Sequence, residues 1–333
     1  MIHKDTIILL FLMGYFLGCK AQKTFGEDHL SLEKSISLTD VNGRIDHMDV
    51  NLRDQVVYIA ALGNNTLEIV DIGQGKRLHS IKGLYEPQGV AYIPQQQEIF
   101  VANGGNGDCN FYNARTYMKT GTVHLSSDAD DVRYDSTERK IYVGYGDGAI
   151  AMIDADDHKQ VGNVKLSGHP EGFQIDKALS LLYVNVPDSK TISVIDLKTF
   201  KLKENWSTQD LRANFPMAID TIRHRIFIGY RRPAKLVVMD GKTGKEISRC
   251  DMVDDVDDVY YDSSTKKVLV SGGGGYVNIF KEDSTGQEGQ IANIQTKNGA
   301  RTSLLIPALN VFIVAAREMG KSTAQLQVYQ QKK

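Results

Sequence analysis

Seven positions carry most of the chemistry this chain has to offer. Asp46, Gln88, Asp130, Glu171, Phe215, Asp257 and Arg301 follow one another at intervals of 41 to 44 residues. Six of the seven are polar or charged, and four are acidic. Beside them stand Arg44, His47, Asp131, Arg133, His169 and Asn214. Carboxylates in this number suit a hard cation such as Ca²⁺, which takes oxygen ligands. The candidates are Asp46, Asp130, Asp131, Glu171 and Asp257, with Asp130, Glu171 and Asp257 the narrowest set. The nearby arginines argue against a dedicated metal cage, because guanidiniums neutralise the same carboxylates. His47 and His169 are candidate transition-metal ligands or general bases. Neither has a third ligand at a diagnostic spacing, and hydrogen bonding at a rim suits each better. No cofactor is expected beyond that one candidate cation, and no residue is assigned a catalytic role.

Other polar clusters have simpler explanations. Asp71, Asp154, Asp196 and Asp240 close short apolar runs, where an Asp side chain satisfies neighbouring backbone N–H groups. The same explanation covers much of the run Asp254–Asp258. Gly272-Gly273-Gly274-Gly275 lies between two extended runs and opens no helix, so it is a turn and no phosphate cradle. Gly104-Gly105-Asn106-Gly107 is read the same way. The chain has no Gly-x-Ser-x-Gly elbow, no His-Glu-x-x-His and no Cys-x-x-Cys-His. Arg231-Arg232-Pro233 is a local positive spot, of a kind that is usually a solvated turn.

The elements that must position these residues repeat with them. No long stretch has helical periodicity, and short apolar runs bounded by Gly, Asn and Asp recur instead. An aromatic or aliphatic residue opens each run: Tyr58, Phe100, Tyr142, Tyr183, Phe227, Leu269 and Phe312. These starts are 42, 42, 41, 44, 42 and 43 residues apart. Each unit reads as four strands, for example Gly89–Tyr92 as a first strand, Thr66–Asp71 as a third and Arg77–Ile81 as a fourth. Four strands in about 42 residues make one blade of a β-propeller. The last unit stops after its third strand at Leu326–Tyr329, and an orphan strand, Leu32–Leu38, precedes the first. Joined, they complete blade seven and leave no open edge. The fold expected is therefore all-β: a seven-bladed propeller over residues 32–330, four antiparallel strands per blade, closed by an N-terminal strand. In that architecture the first strand of each blade lines the central channel, and Asp46 and its six equivalents ring one mouth. The loops between second and third strands add Asn103, Asp108, Tyr145, Asp188, Arg231, Arg232 and Arg317 to the same face.

Tyr142-Val143, the Asp-ended third strands (Ile69-Val70-Asp71, Ile153-Asp154, Val194-Ile195-Asp196, Val238-Met239-Asp240) and the repeat length resemble the YVTN/YncE-like propeller repeat. The likeness covers residues 32–330. It implies an exported propeller, and no particular activity, because such repeats occur in binding proteins, surface proteins and enzymes. The Trp-Asp signature of WD repeats is missing; the one Trp is Trp206.

His3 and Lys4 precede an apolar run from Ile7 to Leu17, too short to span a bilayer. It ends in Phe16-Leu17-Gly18-Cys19, close to a lipoprotein box, which makes residues 1–21 a signal peptide and Cys19 the candidate acylation site. The rival is ordinary cleavage after Ala21, leaving Gln22 first; residues 22–31 then form a short linker. Both place the protein outside the cytoplasm, in the periplasm or as an outer-membrane lipoprotein of a Gram-negative-type cell. Cys109 and Cys250 fall in blades two and five, too far apart for a disulfide, and are expected to be free thiols.

With 39 basic and 41 acidic residues the chain lacks the basic footprint of bulk nucleic-acid binding. The expected function is binding or scaffolding: a monomer, held at the membrane only by its lipid anchor, capturing a small molecule or a protein on the polar funnel. The alternative is a metal-assisted lactonase or lyase in the same channel mouth, with a cation near Glu171 polarising a carbonyl and His47 or His169 moving the proton.

Overall fold

The computed structural model describes residues 29–332. They form seven sheets of four antiparallel strands each, with no α-helix among the described residues and two single 3₁₀ turns, Leu62–Asn64 and Pro307–Leu309. Blade one runs from the strand Met48–Asn51 to the strand Lys76–Lys82, and the next five follow in chain order. Blade seven takes its outermost strand from the other end of the chain. Leu30–Leu38 pairs antiparallel with Ala324–Gln331, Ile36 opposite Leu326 and Leu38 opposite Ala324. The propeller thus starts two residues before the expected boundary and ends one after it. The apolar run Ile7–Leu17, Cys19 and Ala21 lie outside the described residues. Among those described, no helix is long and apolar enough to cross a membrane.

The period-2 pattern explains why the sheets stack as blades. Second strands such as Val56–Ala61 and Val311–Ala316 are buried along their whole length, being covered by the neighbouring sheet on both faces. Fourth strands such as Lys201–Ser207 are mostly exposed at the perimeter. All seven aromatic or aliphatic openers are buried. Burial of such side chains contributes about 1.5–3 kcal/mol each.

The apolar side chains fall into seven clusters, one for each blade-to-blade interface. Ile36, Leu38 and Leu326 pack with Val57, Ile59 and Val70, so the interface between blades seven and one is as apolar as the rest. Closure therefore rests on packing as well as on one strand pair.

The third-strand aspartates cap their turns. Asp71 accepts from the N–H of Gln74, Asp154 from Asp156 and Asp157, Asp196 from Thr199, and Asp240 from Lys242 and Thr243. Gly272–Gly275 turns between paired strands. Cys109 is buried and Cys250 half-buried, and both are free. Burial raises the thiol of Cys250 to about 11 and that of Cys109 higher still, which keeps both as unreactive thiols at neutral pH.

Candidate ligand site in the central channel

In six of the seven blades the head residue reaches the channel through an irregularity in or just before the first strand. In blades two, three, five and six the pairing of first with second strand shifts register across Pro87/Val90, Ala129/Val132, Asn214/Met217 and Val256/Asp258. Gln88, Asp130, Phe215 and Asp257 sit inside those shifts. Blades one and four use the same two-against-one pattern just before the strand. The N–H of Asp46 donates to the carbonyl of Ala60, whose own N–H donates to that of His47; Glu171, Asn185 and Gly172 repeat it. A β-bulge re-aims a side chain that plain alternation would send elsewhere.

The consequence is one cavity of about 630 Å³ lined from all seven blades. Asp46, Gln88, Asp130, Glu171, Phe215, Asp257 and Arg301 all line it, and so do Arg44, His47, Asp131, Arg133 and His169. Asn214 does not. It is fully buried, and its amide donates to Asn185 Oδ1 and to the carbonyl of Thr191, both at 3.0 Å. The bulge beside it turns Phe215 to the channel and leaves Asn214 inside the blade. Of the second-to-third-strand loop residues, Arg231 reaches the cavity, while Arg317 borders a smaller hollow. Asn103, Asp108, Tyr145, Asp188 and Arg232 line neither.

Two imidazoles line the cavity. His47 Nε2 lies 3.8 Å from Asp46 Oδ1 and 4.0 Å from both Asp130 Oδ1 and Asp131 Oδ1. Burial pulls this imidazole down, but Asp46, then Asp131, Asp258 and Asp130 outweigh it and hold it at about 9. His169 Nδ1 donates to the carbonyl of Gly146 at 2.7 Å, and its Nε2 stands 3.7 Å from Asp130 Oδ2. Burial again lowers it, while the neighbouring Asp130, the carbonyl of Gly146 and the charge of Asp128 raise it further, to about 9. Asp130 thus lies between two imidazolium rings. Glu171 is pushed up to about 8 by burial and by the charge of Asp130, so it is largely protonated at pH 7 and can donate a hydrogen bond.

Guanidiniums line the cavity as well, partly on the same carboxylates. Arg44 reaches Asp46 Oδ2 at 2.8 Å. Arg231 Nη2 reaches Asp257 Oδ1 at 2.7 Å, its Nε donates to the carbonyl of Val256 at 2.7 Å, and its plane lies 4.0 Å from the centre of the Phe215 ring. Arg301 bridges Asp255 at 3.1 Å and Asp257 at 3.3 Å. Arg133 holds Asp131. Asp46, Asp131 and Asp257 are therefore already engaged by arginines. Among the described residues no group of three or more His, Cys, Asp or Glu is arranged to hold a metal ion.

Some lining carboxylates also join blades. Asp131 accepts the N–H of Phe173 in blade four, Asp258 that of Ser303 in blade seven at 2.6 Å, and Asp49 that of Tyr92 in blade two at 2.6 Å. Burial raises Asp258 to about 7 and Asp49 to about 6. Asp49, Gln174, Asp258 and Tyr260 line the cavity from positions one to three residues beyond the head residues. The alternation of the first strand is the signal that would have found them.

No family model matches the sequence, and no curated protein matches it. Solved structures do match, through 1833 chains; so wide a spread identifies an architecture and no activity. One is a chain of the "Crystal Structure of Mitotic Checkpoint Complex", aligned over 98% of this chain and 99% of that chain at a TM-score of 0.78 and 15% identity. At that identity the likeness is one of fold alone.

Proposed function

We propose that this chain is an exported, membrane-anchored propeller of the YVTN/YncE-like kind that holds a small polar ligand in the mouth of its channel. One observation carries the binding reading: head residues from all seven blades converge on a single cavity of about 630 Å³, within the roughly 300–1,000 Å³ typical of small-molecule sites. The scaffold needs no particular side chain at these positions, yet six of the seven are polar. Imidazolium groups, a protonated Glu171 and several guanidiniums offer donors, while Asp128 and Asp130 offer acceptors. A ligand with hydroxyl, ammonium and oxyanion groups would meet a partner for each. The Tyr142-Val143 and Asp-ended strands support the family, and the Ile7–Cys19 segment supports export and the anchor.

The catalytic alternative has one observation in its favour, the Glu171, His169 and Asp130 group, in which proton donor and acceptor are neighbours. The cation it requires would compete with the arginines already bound to Asp46, Asp131 and Asp257.

The test is a thermal-shift screen of the purified protein against small charged and hydroxylated metabolites at pH 7. A true ligand raises Tm in a concentration-dependent way, and Asp130→Asn or Glu171→Ala weakens that rise. A panel in which no compound raises Tm, or in which both variants respond like the wild type, removes the proposal.

A further inference from the structure

Beside the main cavity, where blades six, seven and one meet, lies a hollow of about 70 Å³ lined by Arg44, Asp255, Arg301 and Arg317 with small neighbours. A water molecule occupies roughly 30 Å³ in the liquid, so the hollow admits the head of a small oxyanion and not a whole ligand. Arg44 and Arg301 line both spaces. An anionic group seated here would leave the rest of its molecule in the main cavity.

The local charges are unbalanced. Three guanidiniums, of Arg44, Arg301 and Arg317, line the hollow against one carboxylate, of Asp255, while Arg44 also holds Asp46 and Arg301 also holds Asp257. Arg317 is the surplus cation: among the described residues no carboxylate lies within ion-pairing distance of it. Its side chain is exposed. It lies over Gly299, where an added Cβ would come within 3.1 Å of Nε and 3.3 Å of Nη2. Gly299 has a φ of +76°, a conformation suited to glycine. Arg44, held to Asp46 at 2.8 Å, is the third guanidinium on the hollow.

We propose that Arg44, Arg301 and Arg317 form an oxyanion subsite, which takes the carboxylate or phosphoryl group of the ligand in the main cavity. The planar fork of each arginine matches either group. This deepens the small-ligand reading and rests on it for the remainder of the molecule.

The test is calorimetric titration of the whole protein with inorganic phosphate, sulfate and acetate at fixed ionic strength, with chloride as the blank. The wild type binds at least one oxyanion, and preference for phosphate or for acetate tells a phosphoryl from a carboxylate ligand. Arg317→Gln weakens binding by roughly tenfold to a hundredfold and leaves the anion-free Tm unchanged. Arg317→Lys recovers part of the loss. Arg249→Gln, which removes one exposed arginine from the perimeter of blade five, binds like the wild type. Equal binding by wild type and Arg317→Gln, or no oxyanion binding by the wild type, overturns the subsite. In either case a metabolite hit weakened by Glu171→Ala still upholds the main cavity. Oxyanion binding lost in Arg317→Gln with no hit from the metabolite panel upholds the subsite and removes the larger ligand.

Discussion

Stability should fall as the solution is made alkaline, and His47 should carry a separable part of the fall. Its imidazole is held at about 9 against an ordinary 6.5 because Asp46, Asp131, Asp258 and Asp130 face it. A group raised in this way stabilises the folded chain fully below 6.5 and loses that contribution as pH climbs through 9. Glu171 at about 8, Asp258 at about 7 and Asp46 at about 6 are also raised, chiefly by burial. The folded chain therefore binds more protons than the unfolded one through this range, and all four groups act in the same sense. For His47 alone, 6.5 to about 9 corresponds to roughly 3 kcal/mol at about 1.36 kcal/mol per pH unit. The ring is 28% exposed, so water in the cavity screens part of this, and about 1–2 kcal/mol should survive. The assay is urea unfolding of the wild type and His47→Gln at intervals between pH 6.5 and 9.5, with Tm as a second measure. The wild type should lose stability across the interval, and His47→Gln should lose about 1–2 kcal/mol less. Parallel curves for the two proteins, or a wild type that gains stability toward pH 9.5, would refute the reasoning.

Asp258→Ala should destabilise by about 1–3 kcal/mol in urea, because it leaves the buried N–H of Ser303 without its acceptor. Asp258→Asn should cost less, since an amide oxygen can still accept. Leu38→Ala should cost about 2–5 kcal/mol, because Leu38 is fully buried in the interface that closes the ring. A loss below 1 kcal/mol would mean that the closing strand is held by its backbone pairing alone. Ca²⁺, Mg²⁺, Mn²⁺ and Zn²⁺ should leave Tm unchanged, given the arginines on Asp46, Asp131 and Asp257. A stoichiometric cation, lost with stability in Asp130→Ala, would instead favour metal-assisted chemistry.

The blades were legible because a strand has a period of two and the repeat supplies seven copies of it. Tyr58 and its equivalents mark the buried second strands, and Leu32–Leu38 stands out as a strand without a blade. Equivalence between blades also sufficed to find Asp46, Gln88, Asp130, Glu171, Phe215, Asp257 and Arg301 as lining residues. What could not be read was the direction of their neighbours. Asn214 and Phe215 are adjacent, and a one-residue register shift sends one into the blade and the other to the channel. Asp131 looks like a site carboxylate in the sequence and Asp258 like part of a turn-capping run, yet each holds a backbone N–H of the following blade. That partner lies more than 40 residues away, and local spacing does not reveal it. Arg231 stood out as a positive spot, but its stacking on Phe215 and its hold on Asp257 are products of tertiary structure. The surplus of Arg317 is likewise visible only once its surroundings are assembled.

The central claim is that a small polar ligand sits where the seven blades meet. Determining the structure of the protein with the strongest hit from the metabolite panel tests it most directly. The account predicts ligand in the main cavity within hydrogen-bonding distance of Asp130 or Glu171, its oxyanion against Arg317. A ligand bound on the outer faces of the blades, with the channel mouth holding only water, would contradict it.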